Sequence, residues 1–296
     1  MKKLLFVLLA SATISPAMAQ TYNYAPAQRT RQPMAQTQGV QAKRAKAPEK
    51  YKLGNPLYRP AAQTGIMGGE IDYARRPKKT SIGQQSASAW EVIPEIKYGI
   101  TDKLSIEANA NYGDLEFKSG GAGIKGAKSS LYGATANLRY LVASVDNFDF
   151  NIYGGASYRG MKAGNNKMKN INRAVGIRNT QHRSDINVGL QVGKKIENVT
   201  PYFAVGFQSE FWSSRGNNIA PAGTNTVINP GIYIDLNEQI GLDLSYRSVV
   251  HENATYKAVV DFYPQDNLVV GVGAYMIHPQ TDLNEYGALA NIKVKF

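Results

Sequence analysis

His182, His251 and His278 are the side chains of this 296-residue chain best suited to move a proton at neutral pH. Each has a carboxylate close in sequence (Asp185, Glu252 and Asp282), and Ser184 and Ser248 supply hydroxyl groups. A hydroxyl becomes a nucleophile only when a base lies within hydrogen-bond reach of it. None of these residues falls in a motif that fixes such a geometry, so they read as histidines of loops and strand ends and no catalytic site is expected. The chain has no cysteine, hence no thiol chemistry and no disulfide framework. It shows no metal-ligand spacing, no phosphate-cradling glycine loop and no cofactor signature. Ser119-Gly120-Gly121-Ala122-Gly123 follows no strand-to-helix pattern and reads as a flexible loop. The sequence predicts a non-enzyme without cofactor or metal.

The chemistry that remains is charge, and its placement depends on the elements that carry it. From residue 65 onward apolar and polar residues alternate: Ile240, Leu242, Leu244 and Tyr246 interleave with Gly241, Asp243, Ser245 and Arg247. A two-residue period belongs to a strand. It recurs over 104–112, 132–140, 148–158, 186–192, 203–211, 228–236, 256–262, 268–276 and 286–296, and less regularly over 65–73 and 87–98, giving about twelve strands.

A soluble sandwich also alternates, but three features favour a barrel in a membrane. The apolar face carries no charge in these strands, whereas a Lys or Arg facing lipid at mid-depth costs about 2–4 kcal/mol. Aromatic residues mark both ends of that face: Tyr73, Trp90, Tyr112, Tyr132, Tyr158, Phe211, Tyr246, Tyr256 and Tyr286 at one, Tyr98, Tyr140, Phe148, Phe262 and Phe296 at the other. Such rings suit the boundary between hydrocarbon and headgroups. Connections alternate between short ones, such as 99–103, and long ones at 74–86, 113–129, 160–182 and 213–225. The predicted fold is all-β: a transmembrane antiparallel up-and-down β-barrel over residues 65–296.

The turn Tyr98-Gly99-Ile100-Thr101-Asp102-Lys103-Leu104 and the closing alternation Ala290, Ile292, Val294, Phe296 resemble features of bacterial outer-membrane β-barrel proteins. The resemblance implies the outer membrane of a Gram-negative bacterium, with the short turns and both termini periplasmic. It also implies the barrel-assembly machinery as a partner that reads Ile292, Val294 and Phe296. It is silent on activity, because porins, adhesins, structural proteins and lipid-modifying enzymes share such barrels.

Residues 1–19 have a cationic start, an apolar run and Ala17-Met18-Ala19 at the cleavage position, as a secretory signal peptide does. Residues 20–64 are rich in Gln, Ala, Pro, Thr, Lys and Arg without periodicity and are predicted to form a disordered, basic periplasmic tail. Lys43, Arg44, Lys46, Lys50 and Lys52 could tether it to peptidoglycan or lipid, though a solvated linker is the simpler reading. The more apolar stretch from Asn55 to Pro60 is expected to dock on the first strand or the barrel mouth. Much of the net charge of +12 thus lies outside the fold, and no nucleic-acid partner is expected.

Alternation also fixes the inward face. It carries Glu91, Glu95, Lys97, Glu107, Arg139, Asp149, Glu210, Asp235, Asp243, Arg247, Lys257 and Asp261, with Glu70, Asp72, Glu285, Lys293 and Lys295. These are the candidate pore-lining charges, with acids in surplus. Unpaired charge is costly in a dry interior, so the lumen holds either water or a salt-bridge network. Inward glycines such as Gly189, Gly231 and Gly241 are expected to leave space. A basic patch on the outer loops (Arg75, Arg76, Lys78, Lys79, Arg159, Lys162, Lys167, Lys169, Arg173 and Arg178) fits the phosphates of lipopolysaccharide. The expected function is a narrow porin-like channel for small solutes with a cation-preferring constriction. The alternative is a closed structural or adhesive barrel whose basic loops bind lipopolysaccharide or envelope partners.

Overall fold

The computed structural model describes residues 50–296 apart from 81–82, 120–122, 175, 177, 214–219, 251–252 and 280–282. The signal peptide, the tail up to residue 49, His251, Glu252 and Asp282 lie outside the described residues. Twelve strands follow one another: β1 (Gly65–Thr80), β2 (Gly83–Gly99), β3 (Leu104–Ser119), β4 (Lys128–Val145), β5 (Phe148–Ala163), β6 (Thr180–Lys194), β7 (Val199–Ser213), β8 (Ala220–Asp235), β9 (Ile240–Val249), β10 (Asn253–Gln265), β11 (Leu268–Pro279) and β12 (Glu285–Lys295). Each pairs antiparallel with the next, and β1 pairs with β12, so the sheet closes with no free edge.

Register converts the alternation into a belt. Tyr73 stands opposite Trp90, Tyr112 opposite Tyr132 and Tyr246 opposite Tyr256, which brings the rings of the last pair to 5.0 Å. Met67, Ile71, Val188, Leu190 and Phe207 between the girdles are each more than half exposed on the outside. An apolar belt of this kind needs a hydrocarbon solvent. The short turns, the start of β1 and the end of β12 share one rim, here the turn end; the longer connections form the loop end.

Three expectations are corrected. The long connections are mostly strand: β1 runs on to Thr80 through Arg75, Arg76, Lys78 and Lys79, and β3 runs on to Ser119. Beyond the apolar belt the outer face turns polar: β1 carries no apolar row through Arg75-Arg76-Pro77-Lys78-Lys79, and in β3 the period inverts, with Leu115 and Phe117 buried inward between Asp114, Glu116 and Lys118, while the ladder continues because it satisfies the backbone. The connection after β5 folds into α1 (Asn166–Ala174), whose first turn is capped by Asn165 Oδ1 accepting from the Met168 amide at 3.0 Å. Met168 is buried with Ala87, Ala89, Leu115, Phe117, Ala127 and Ala163, so the helix packs on the inner wall at the loop end. Finally, residues 50–64 do not share the disorder predicted through residue 64. Tyr51, Leu53, Leu57 and Tyr58 bury themselves among Ile66, Tyr202, Tyr263 and Val269, apolar area that offsets the entropy of ordering the segment.

Candidate functional site

The lumen is the place where charged and polar side chains converge. Glu107 lies 3.2 Å from Arg139 and 3.7 Å from Lys97. Glu95 meets Lys293 at 3.5 Å, Glu70 meets Lys257 at 3.7 Å and Glu285 meets Arg76 at 3.4 Å. Arg183 bridges Asp185 and Glu210, which stand directly opposite each other on β6 and β7. Four further carboxylates have neutral partners: Tyr275 donates to Asp72 at 2.8 Å, Tyr202 to Asp243 at 2.7 Å, Tyr233 to Asp261 at 3.5 Å and Asn111 to Glu91 at 3.5 Å. Arg247 donates to Gln208 at 3.2 Å.

The expectation that inward glycines leave space is wrong at the positions that matter most. A Cβ on Gly231 would come within 2.2 Å of the Tyr202 ring, one on Gly241 within 2.0 Å of Tyr233 Oη, and one on Gly189 within 2.4 Å of Tyr153 Oη. Inward tyrosines lie over glycines of neighbouring strands, so the missing side chains are replaced by rings. The space left is divided: one cavity of about 400 Å³ is lined by Glu70, Glu91, Glu95, Asn109, Arg159 and Lys293 among others. A second of about 270 Å³ lies around Glu107, Arg139, Tyr153, Gln208 and Arg247. Among the described residues, the buried amide oxygens of Asn187, Gln191, Asn229 and Asn291 find no hydrogen-bond partner. Such groups call for water or a polar solute.

Residues 50–64 cross the turn end. Lys50 pairs with Asp149 at 2.8 Å and Lys52 with Asp235 at 3.3 Å. Arg139 donates to the Pro56 carbonyl at 3.0 Å, and the Gly54 amide donates to Tyr263 Oη at 3.1 Å. Burial, reinforced by the Asp149 carboxylate, holds the Tyr51 phenol above its ordinary range, and burial draws the Arg59 guanidinium down. The two predicted acids Asp149 and Asp235 therefore face the chain's own lysines rather than an open mouth.

The predicted inward positions all lie on the inner wall, but two members of the predicted outer patch join them: Arg76 through Glu285, and Arg159 in the larger cavity. The acidic surplus expected of the lumen is offset by these two, by Arg183, and by Lys50 and Lys52. Arg183 lies outside the predicted strand, whose apolar row begins only at Ile186; its alternation with Asp185, Asn187 and Gly189 is the sequence signal for its inward placement. Arg75 and Lys162 point outward near the loop end, and Lys167, Lys169, Arg173 and Arg178 are exposed there. Lys78 and Lys79 continue β1. Ile292, Val294 and Phe296 face outward along β12 and its end.

His182 lies on the outer face between Tyr132 and Tyr158, with Tyr158 Oη 3.3 Å from its Nδ1. Ser184 shares that face, whereas Asp185 points inward to Arg183 and Ser157. A strand wall thus separates the carboxylate from the other two, and these three form no triad. His278 Nδ1 contacts Asn284 Oδ1 at 2.6 Å. Among the described residues no three His, Asp or Glu side chains come together as a metal-ligand set.

A closed antiparallel barrel with an apolar belt and a polar interior is the fold of the outer-membrane β-barrel proteins. The chain is similar to an outer-membrane channel from Pseudomonas putida F1, at 11% identity and a TM-score of 0.57 over 83% of this chain and 100% of that one. It is also similar to the translocator domain of the autotransporter NalP from Neisseria meningitidis, at 8% identity and a TM-score of 0.53 over 81% of this chain and 91% of that one. At such identities the likeness is one of fold. No family model matches the sequence, and no curated protein matches it.

Proposed function

We propose that the protein is a narrow channel for small polar solutes in the outer membrane of a Gram-negative bacterium, with the turn end toward the periplasm and α1 outside. The observation that carries this reading is the inner wall, where carboxylates, cations, amides and phenols surround cavities of about 400 and 270 Å³ and leave amide oxygens for a polar guest. Cavities of that size fit small solutes and not polymers. A weak cation preference is supported by Asp72, Glu91, Asp243 and Asp261, whose partners are neutral. Outward and exposed bases at the loop end (Arg75, Lys162, Lys167, Lys169, Arg173 and Arg178) suit lipopolysaccharide phosphates. Ile292, Val294 and Phe296 fit an assembly signal, and the basic residues before Lys50 fit a contact with peptidoglycan.

A second reading, a closed structural barrel, is favoured by one observation: the segment lying across the turn end. Planar-bilayer recording of the refolded full chain separates the two. The channel reading predicts discrete steps and a reversal potential displaced toward the cation in a salt gradient. Anion preference would refute the selectivity, and complete silence would leave the structural barrel.

A further inference from the structure

We infer that residues 50–64 are a releasable plug that shuts the barrel at its turn end and has to leave before solute passes. The inference rests on the channel reading, and its test is built to fail separately from it.

The segment spans the bore. Gly54 is bonded to Tyr263 on β10, and two residues later Pro56 is bonded to Arg139 on β4. In a closed ring of twelve strands taken in order, β4 and β10 are six apart and therefore on opposite walls. Further contacts go round the circumference: Lys50 to Asp149 on β5, Lys52 to Asp235 on β8, and Arg59 to the Asp102 carbonyl in the turn before β3. The Leu57 side chain sits against Gly193 on β6, in space that a side chain there would take. With Tyr51, Leu53, Leu57 and Tyr58 all buried, the segment fills the mouth as well as crossing it.

The manner of attachment makes it removable. Among the described residues, its backbone-to-backbone bonds to the wall are at the hinge: Gln63 donates to the Gly99 carbonyl at 2.8 Å and Gly99 to that of Thr64 at 3.0 Å. Upstream of the hinge the wall is held through side chains. The lysines of the two ion pairs keep more than a quarter of their side-chain surface in water, so salt screens them and their loss exposes little. The first 49 residues join the plug at Lys50, its end farthest from the hinge. A pull from that side peels the ionic contacts first and leaves the 61–64 hinge in place.

The chain has no cysteine, so an introduced pair has no competitor. A Cβ at Gly193 would lie 3.2 Å from Leu57 Cγ, within the reach of a disulfide between Leu57→Cys and Gly193→Cys. In planar bilayers the oxidised double variant is expected to be silent and to regain wild-type steps on reduction. Asp149→Asn with Asp235→Asn removes both ion pairs and leaves Lys52 only its bonds to the Asn237 and Glu238 carbonyls; it is expected to raise the open fraction several-fold. In the same loosened background, labelling of a lone Leu57→Cys by a charged maleimide should accelerate several-fold. Oxidised protein that conducts like the reduced form overturns the plug and leaves the channel standing. An unchanged open fraction and labelling rate in the loosened variant overturn it too. If labelling accelerates while every variant stays silent, release is supported and the channel reading is what fails.

Discussion

Arg183 lies between two carboxylates that the sheet forces together. Asp185 on β6 and Glu210 on β7 are direct register partners, and the Arg183 guanidinium contacts both. All three are nearly out of solvent, with side-chain exposures of 13% for Arg183, 4% for Asp185 and 5% for Glu210. Replacing Arg183 by Met keeps much of the volume and removes the charge. The two carboxylates then face each other from Cβ atoms about 5 Å apart without the guanidinium between them. At an effective dielectric of about 20 their repulsion is about 3 kcal/mol. Removing one partner of a buried ionic group typically costs about 3–5 kcal/mol, so the two estimates agree. Urea unfolding from lipid vesicles, followed by tryptophan fluorescence, should show the unfolding free energy fall by that amount, with the midpoint moving to lower urea. Adding Glu210→Gln to Arg183→Met should recover most of the loss, since a single carboxylate remains, and Ser157 already donates to it at 2.9 Å. A cost under about 1 kcal/mol, or no recovery in the double variant, would show that the triad is screened by water and refute the reasoning.

Other changes probe the remaining walls. Gly231→Val should destabilise by about 1–3 kcal/mol in the same assay, because its Cβ meets the Tyr202 ring, and Tyr202→Ala in that background should relieve part of the strain. Val272→Arg places a charge on the outer face, where Val272 is 47% exposed, and should cost about 2–4 kcal/mol in a bilayer. The same replacement at Thr135, which lines the larger polar cavity, should cost far less. Glu91→Gln removes a carboxylate whose partner is the neutral Asn111, so the reversal potential in a salt gradient should move toward zero. A reversal potential that stays in place would assign selectivity elsewhere.

The sequence alone determined the barrel. Strand number, the lipid-facing rows and both aromatic girdles follow from a period of two, because every second side chain must meet the same solvent. Leu104 to Tyr112 shows this within a single strand. Where that constraint stops, the pattern stops: β1 past Tyr73, and β6 before Ile186, continue as strands with no apolar face to announce them. Tertiary structure decided what fills the inside. Whether Gly231 is a void or a seat for Tyr202 depends on the residue opposite it on β7, twenty-nine positions away, and no local pattern records such a pairing. The same holds for Arg183, whose partner Glu210 comes from the next strand, and for Lys50 and Lys52, which look like part of a solvated tail until closure of the barrel brings Asp149 and Asp235 to one rim. An outer face is selected by a uniform solvent and can be read one strand at a time. An inner face is selected by neighbours, and those exist only once the ring has closed.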